Sequence, residues 1–218
     1  MRSVPTTSLD LTAPDVVADP YPFFDAERAE HPVAWHEGMG LHLVFDHATV
    51  SAIQRDRRFG RLWRDREPAG YLEPFNLLHR NQMMENEPPE HTRLRRPVAA
   101  AFARGHIERL RPRVRELAAS LLGEVSGEFD VIGRFAEPLP VLVIAELLGV
   151  PASYADSLRA WSQAIVRMYE PTPSEAVVDA AVGAAQEFAD LVRDLVAARR
   201  AHPADDLITD LAATELTE

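Results

Sequence analysis

The sequence predicts a mainly helical fold with one small β-hairpin or sheet, and three observations carry that prediction. Apolar residues recur at steps of three and four through most of the second half of the chain. Only PVAWHEGMGLHLVF has two short runs rich in Val, Leu and aromatics around a glycine-containing turn. Capping and stop signals bracket the helical stretches. At 218 residues the chain suits one large domain or two small ones, and 46% hydrophobic with 26% charged residues is an ordinary globular composition.

Taken in order, residues 21–30 form a short amphipathic helix after Asp19 and Pro20, read as an N-cap followed by a first-turn proline. The hairpin follows. HATVSAIQRDRRFG is then a helix closed near Gly60. Residues 61–86 show no clean period, and a loop this long inside a compact domain is functional or disordered. Ile107, Leu110, Val114, Leu117, Leu121 and Val125 make one stripe of a helix over 107–125. A helix over 138–148 is stopped by Gly149, with Pro151 just beyond. Residues 153–168 form the next. In TPSEAVV, Thr172 caps, Pro173 takes the first position and Glu175 reaches back. That launches Val177, Ala181, Ala184, Phe188, Leu191 and Leu195 on one face. The closing DDLITDLAATELTE has acidic residues suited to a helix start.

Composition narrows the function. A net charge of −11 argues against non-specific attraction to nucleic acid, which needs a basic surface. These residues include no cysteine, hence no disulfide, Cys nucleophile, Cys-ligated zinc or thiolate ligand to iron. The opening MRSVPTTSLDLTAPDVVADP has no apolar core of the kind a secretion signal needs. The most apolar run, residues 141–150, is interrupted by Glu146 and too short to span a bilayer. A soluble, cytoplasmic protein that engages neither membrane nor nucleic acid is expected.

The most informative stretch is MMENEPPEHTRLRRPVAAAF, residues 83–102, where two prolines open a helix. With His91 at zero on a helical wheel, Arg95 falls close beside it and Phe102 between the two. Val98, Leu94 and Ala101 lie just to the other side, while Arg93, Arg96 and Ala100 point away. His91 and Arg95 therefore share the apolar face. An arginine facing a core needs an anion, and its planar fork suits a carboxylate or phosphate. The residues alone leave open whether that anion is a carboxylate of the same chain, with His91 hydrogen-bonded in the core. Pro97 removes one backbone bond and bends the helix.

PPEHTRLRRPVAAAF closely resembles the C-helix signature of the bacterial cytochromes P450, the haem-thiolate monooxygenases. DPYPFFDAERAEHPVAWHE and LHLVFDHATVSAIQRDRRFG are similar to that family's first helix, small sheet and B helix. AFARGHIERLRPRVRELAASLL resembles its D helix, FDVIGRFAEPLPVLVIAELLGVP its strand and E helix, and DDLITDL the run before its central helix. Glu87 stands where the family usually has Asp.

The resemblance implies a single incomplete domain over 1–218, with helices A to H of the family's fold. Helix A, the small sheet and helix B occupy 20–60, a B–C substrate-lid loop 61–87, and helices C to H 88–218. It implies haem as cofactor, with His91 and Arg95 on the two propionates. Trp63, Tyr71, Phe75, Leu77, Leu78, Ile165, Met168 and Tyr169 become candidates to line a cavity for a small apolar substrate. Arg93 and Arg96 become candidates for the surface that receives an acidic ferredoxin-type redox partner. The central helix, with its acid–alcohol pair for oxygen activation, and the Cys loop are missing from these residues, so no catalytic residue and no metal ligand is assigned. The expected function is substrate hydroxylation with dioxygen and two electrons, this chain being a truncated N-terminal half that is inactive alone. The alternative is a cysteine-free helper or interaction protein, or a decayed gene product without catalysis.

Overall fold

A computed structural model describes residues 4–102, 104–170 and 172–213. The chain divides into two compact units, Met1–Gly60 and Arg61–Glu218. In the first, β1 (Thr6–Thr7) pairs parallel with β2 (Val33–His36), which pairs antiparallel with β3 (Leu41–Val44). Register opposes Val33 to Val44 and Trp35 to His42. The hairpin turns at Gly40, whose φ of 64° is open to glycine. Beside the sheet lie α1 (Pro14–Ala18), α2 (Tyr21–Glu30) and α3 (His47–Arg55). Asp46 caps α3 by accepting from the Thr49 amide at 2.9 Å.

Two expectations change here. Asp19 closes α1 and does not cap α2, whose N-cap is Pro20 without a side-chain hydrogen bond. Helix α3 ends at Arg55, well before Gly60, because the Asp56 carboxylate takes the Arg58 amide at 3.0 Å and turns the chain locally.

The second unit is helical. It contains α4 (Glu73–Arg80), α5 (Glu90–Ala101), α6 (Arg104–Gly123), α7 (Pro138–Leu148), α8 (Ala155–Val166), α9 (Glu175–Ala201) and α10 (Leu207–Ala213). Short 3₁₀ turns at Met83–Glu85 and Arg167–Tyr169 finish the connections around α4 and α8. The long helix α9 is the spine against which α4, α8 and α10 pack. Its apolar stripe buries Val177, Ala181, Ala184, Leu191 and Leu195 and half-buries Phe188. Leu72, Phe75 and Met168 close on Ala181 and Ala185 in one core, and Ala145, Val150 and Ile208 close on Leu191 and Leu195 in another.

Three more expectations are corrected. Residues 61–86 hold a helix, α4, started by Pro74 in its first turn; its buried face is Phe75, Asn76 and His79, so two polar residues hide the apolar period. Residues 132–136 form a π-helical turn where the family resemblance implies a strand; among the described residues no strand pairs there, so the backbone bonds locally. Helix α9 is capped by Ser174, whose hydroxyl accepts from the Val177 amide at 3.4 Å. Both Thr172 and Ser174 carry a capping hydroxyl, but it is Ser174's that reaches an orphan amide. Glu175 then sits in the first turn, and no capping box forms. The side chains of Ala100, Ala101 and Ile107, and residues 214–218, lie outside the described residues.

Gly149 ends α7 as its pattern foretold, at φ 77°. A Cβ there would collide with the Asp206 carboxylate, which Arg199 and Thr209 hold in place. Gly149→Ala should therefore lower stability by about 2 kcal/mol, read as a reduced urea midpoint at unchanged slope.

Candidate functional site

The segment 61–87 is clamped by buried polar contacts. Glu85 is 3% exposed, and a carboxylate so buried requires charge and hydrogen bonds. Arg61 supplies both, with Nη2 2.7 Å from Oε1 and Nε 2.8 Å from Oε2. The Tyr169 hydroxyl, from the turn after α8, donates to Oε1 at 3.2 Å. Asn76 and Arg66 lock each other: the Arg66 amide donates to Asn76 Oδ1 at 2.9 Å, and Asn76 Nδ2 donates to the Arg66 carbonyl at 3.0 Å. Arg66 Nη1 reaches the Met168 carbonyl at 2.6 Å. The predicted loop is thus a folded strap fastened to α8 and α9.

Between the strap and α8 lies a cavity of about 440 Å³. Leu78, Ile165 and Tyr169 line it, joined by Trp161, Val166 and Phe188. Phe75 and Met168 are not among its lining residues; both are buried in the core. Trp63 packs on that core, with its ring 5.9 Å from Phe75. Tyr71 is exposed and donates its hydroxyl to Asp179 on α9, and Leu77 is half-buried outside the cavity.

His79 also lines the cavity, though only 1% of it is exposed. Its ring stacks on Phe75 at 4.0 Å and on Trp63 at 4.7 Å. Nδ1 lies 2.8 Å from the Phe75 carbonyl, which can only accept, so Nδ1 carries the proton and Nε2 is an acceptor. Burial pushes the imidazole pKa below its ordinary 6.5; Arg66 and Arg61 act with burial, while the Phe75 carbonyl and Glu85 oppose it.

On the other side of the Met83–Glu85 turn, an open groove of about 520 Å³ is lined by His91, Arg95, Val98, Ala99, Phe102, Met83 and Met84. Met84 belongs to both walls. His91 and Arg95 come together, one helical turn apart, on α5. The face the helical wheel turns inward is nevertheless only partly covered. Arg95 is exposed, His91 half-buried, and Phe102 keeps 50% of its surface open. An exposed guanidinium retains its hydration, so nothing forces a partner on it. Among the described residues no carboxylate pairs with Arg95. Arg93 pairs with Glu90 at 2.9 Å, and Arg96 is exposed.

Sequence reasoning missed Glu85, His79, Asn76, Arg61 and Arg66. Its search for periodicity counted apolar residues, and Glu85, His79 and Asn76 are polar side chains that turn inward, with Arg61 and Arg66 bonded to them or beside them. Asn76 and His79 share a helix face with Phe75, a spacing visible in EPFNLLHR once polar residues are allowed inside.

The helical unit thus presents an imidazole and a guanidinium on one open groove with Val98 and Phe102, beside a strapped cavity. No family model matches the chain. It is 34% identical to the cytochrome P450 monooxygenase PikC of Streptomyces venezuelae, over 97% of this chain and 50% of that protein. It is likewise 34% identical to the erythromycin C-12 hydroxylase of Saccharopolyspora erythraea, over 87% of this chain and 46% of that protein. Among solved structures, P450BioI in complex with acyl carrier protein ligated to hexadec-9Z-enoic acid superposes with a TM-score of 0.83 at 26% identity. That match covers 92% of this chain and 53% of the other. The chain belongs to the cytochrome P450 family, whose cofactor is haem. It spans about half the length of the curated relatives it matches. Among the described residues no helix is long and apolar enough to cross a membrane.

The buried His79 yields a pH test. Because its folded pKa lies below 6.5, the unfolded chain takes up the proton first as pH falls, and stability drops through that window. The loss reaches at most about 1.4 kcal/mol per pH unit. His79→Phe lacks this component. Urea unfolding should show a constant difference between the two proteins above about pH 7, shifting in the variant's favour below pH 6.5.

Proposed function

We propose that this chain is the N-terminal half of a cytochrome P450 monooxygenase, one incomplete domain over 1–218, and that His91 and Arg95 hold the two haem propionates. One observation carries the reading. The two side chains share an open groove with Val98 and Phe102, and among the described residues no carboxylate of the chain takes the guanidinium. The donor set fits the acid edge of haem: a fork that binds carboxylate in bidentate fashion, an imidazole beside it, and apolar surface for the ring. It does not fit the iron, because these residues include no cysteine and so no thiolate.

Haem, when bound, supplies the activation of dioxygen for hydroxylation. The residues here bind and orient. Arg95 and His91 neutralise the acid tails, and Val98 and Phe102 exclude water from one side. Residues 61–87 close the substrate chamber, with Leu78, Ile165 and Tyr169 at its wall; Trp63, Tyr71, Phe75, Leu77 and Met168 brace them. The mostly apolar lining of that cavity and the printed activity of the erythromycin hydroxylase support a bulky, largely apolar substrate. Arg96 and the Glu90-paired Arg93 lie on the surface offered to an acidic ferredoxin-type partner. The setting is cytoplasmic. Without the remainder of the family's fold this chain is catalytically inactive.

Haem titrated into the chain, followed by its Soret band and by quenching of tryptophan fluorescence, tests the assignment. Arg95→Ala should weaken binding about tenfold, the scale of one lost charge-assisted pair. Unchanged affinity and an unchanged spectrum in that variant would remove the propionate role.

A further inference from the structure

We infer that His79 determines substrate specificity, its Nε2 accepting a hydrogen bond from a neutral hydroxyl on the apolar molecule that enters the cavity between α4 and α8. The inference rests on reading that cavity as part of the substrate chamber.

Geometry restricts what the imidazole can do. Its Nδ1–H is committed to the Phe75 carbonyl at 2.8 Å, one turn back on α4. The ring cannot readily turn over, being 1% exposed and stacked on both Phe75 and Trp63. Nε2 is thus a fixed acceptor. Among the described residues nothing donates to it, and it is absent from the sealed polar atoms left without a partner. The nitrogen therefore meets the space the residue lines, the 440 Å³ cavity.

That cavity is mainly apolar, walled by Leu78, Trp161, Ile165 and Phe188, with Gln82 and Ser162 adding polar edges. A fixed acceptor in such a wall favours a ligand that brings a donor and disfavours one presenting a lone pair there. The donor's charge is also restricted. Arg61 and Arg66 lie 6.0 and 5.9 Å from the Tyr169 ring centroid, and that ring is 5.8 Å from His79. Set against the single carboxylate of Glu85, which pairs with Arg61 and accepts from Tyr169, two guanidiniums leave a net positive charge that opposes an ammonium group. The chemistry that remains is a neutral hydroxyl on an apolar frame.

The test uses the full chain and three probes of one ring size: cyclododecanol, cyclododecyl methyl ether and cyclododecanone. Trp161 lines the cavity and Trp63 stacks on His79, so tryptophan fluorescence reports occupancy directly. The chain should bind the alcohol about tenfold more tightly than the ether or the ketone. His79→Phe, which keeps an aromatic ring at the site, should bind all three equally, with the ether affinity of the unaltered chain. His79→Gln, which restores an acceptor, should recover a preference for the alcohol. Circular dichroism confirms that each variant is folded, and the glutamine variant carries the test should phenylalanine disturb the strap. Equal binding of the three probes by the unaltered chain overturns the inference and leaves the cavity as a substrate wall. An alcohol preference that survives in His79→Phe also overturns it, by assigning the preference to Gln82 or Ser162. Failure of all three probes to bind removes the chamber reading itself, and this inference with it.

Discussion

A buried carboxylate governs the second unit. Glu85 has almost no contact with solvent, and a carboxylate in that position is tolerable only while Arg61 and Tyr169 hold it. Those two partners lie far apart in the sequence, so satisfying one charge joins the strap to the end of α8. The backbone takes part as well: the Trp63 amide donates to the Glu85 carbonyl at 3.0 Å. Once Glu85 is placed, the Met83–Glu85 turn is placed. Met84 then forms a wall common to the cavity and the groove, and α5 begins where the chain leaves that turn.

The spine helix makes this arrangement compact. Ala181, Ala185 and Ala189 are buried on α9, and such small side chains let α4 and α8 lie close against it. Phe75 and Met168 fill the space between, which is why two residues expected at a cavity wall serve as its foundation. The groove on α5 is built differently. Met84 and Phe102 stay exposed there, and among the described residues no carboxylate pairs with Arg95. One side of the Met83–Glu85 turn is thus packed and strapped, and the other is left open.

The helical architecture could be read directly because its signals are local. Gly149 stops α7 through a left-handed residue, and the stripe on α9 is buried as its spacing requires. The hairpin lies where its glycine turn and aromatic runs put it. Errors gathered where two local signals compete or where the deciding partner is distant. Thr172 and Ser174 offer the same hydroxyl chemistry two residues apart. Residues 132–136 match a strand only by resemblance, and among the described residues no partner strand lies there to pair with. Helix α4 hides because Asn76 and His79 take inward positions that hydrophobic patterning reserves for apolar side chains.

By itself the sequence determined most of the helices and the placing of His91 with Arg95 on one face, while its resemblance to known sequences carried the family. The helices and the shared face follow from spacing along a single element, and spacing is complete information for neighbours within one element. Tertiary structure alone decided that Glu85 is buried, that Arg61 pairs with it while Tyr169 donates to it, and that His79 lines an apolar cavity. These depend on residues distant in the sequence, Glu85 and Tyr169 being 84 positions apart. A buried polar side chain is stable only in the company of partners that folding supplies, and no local pattern announces who they are.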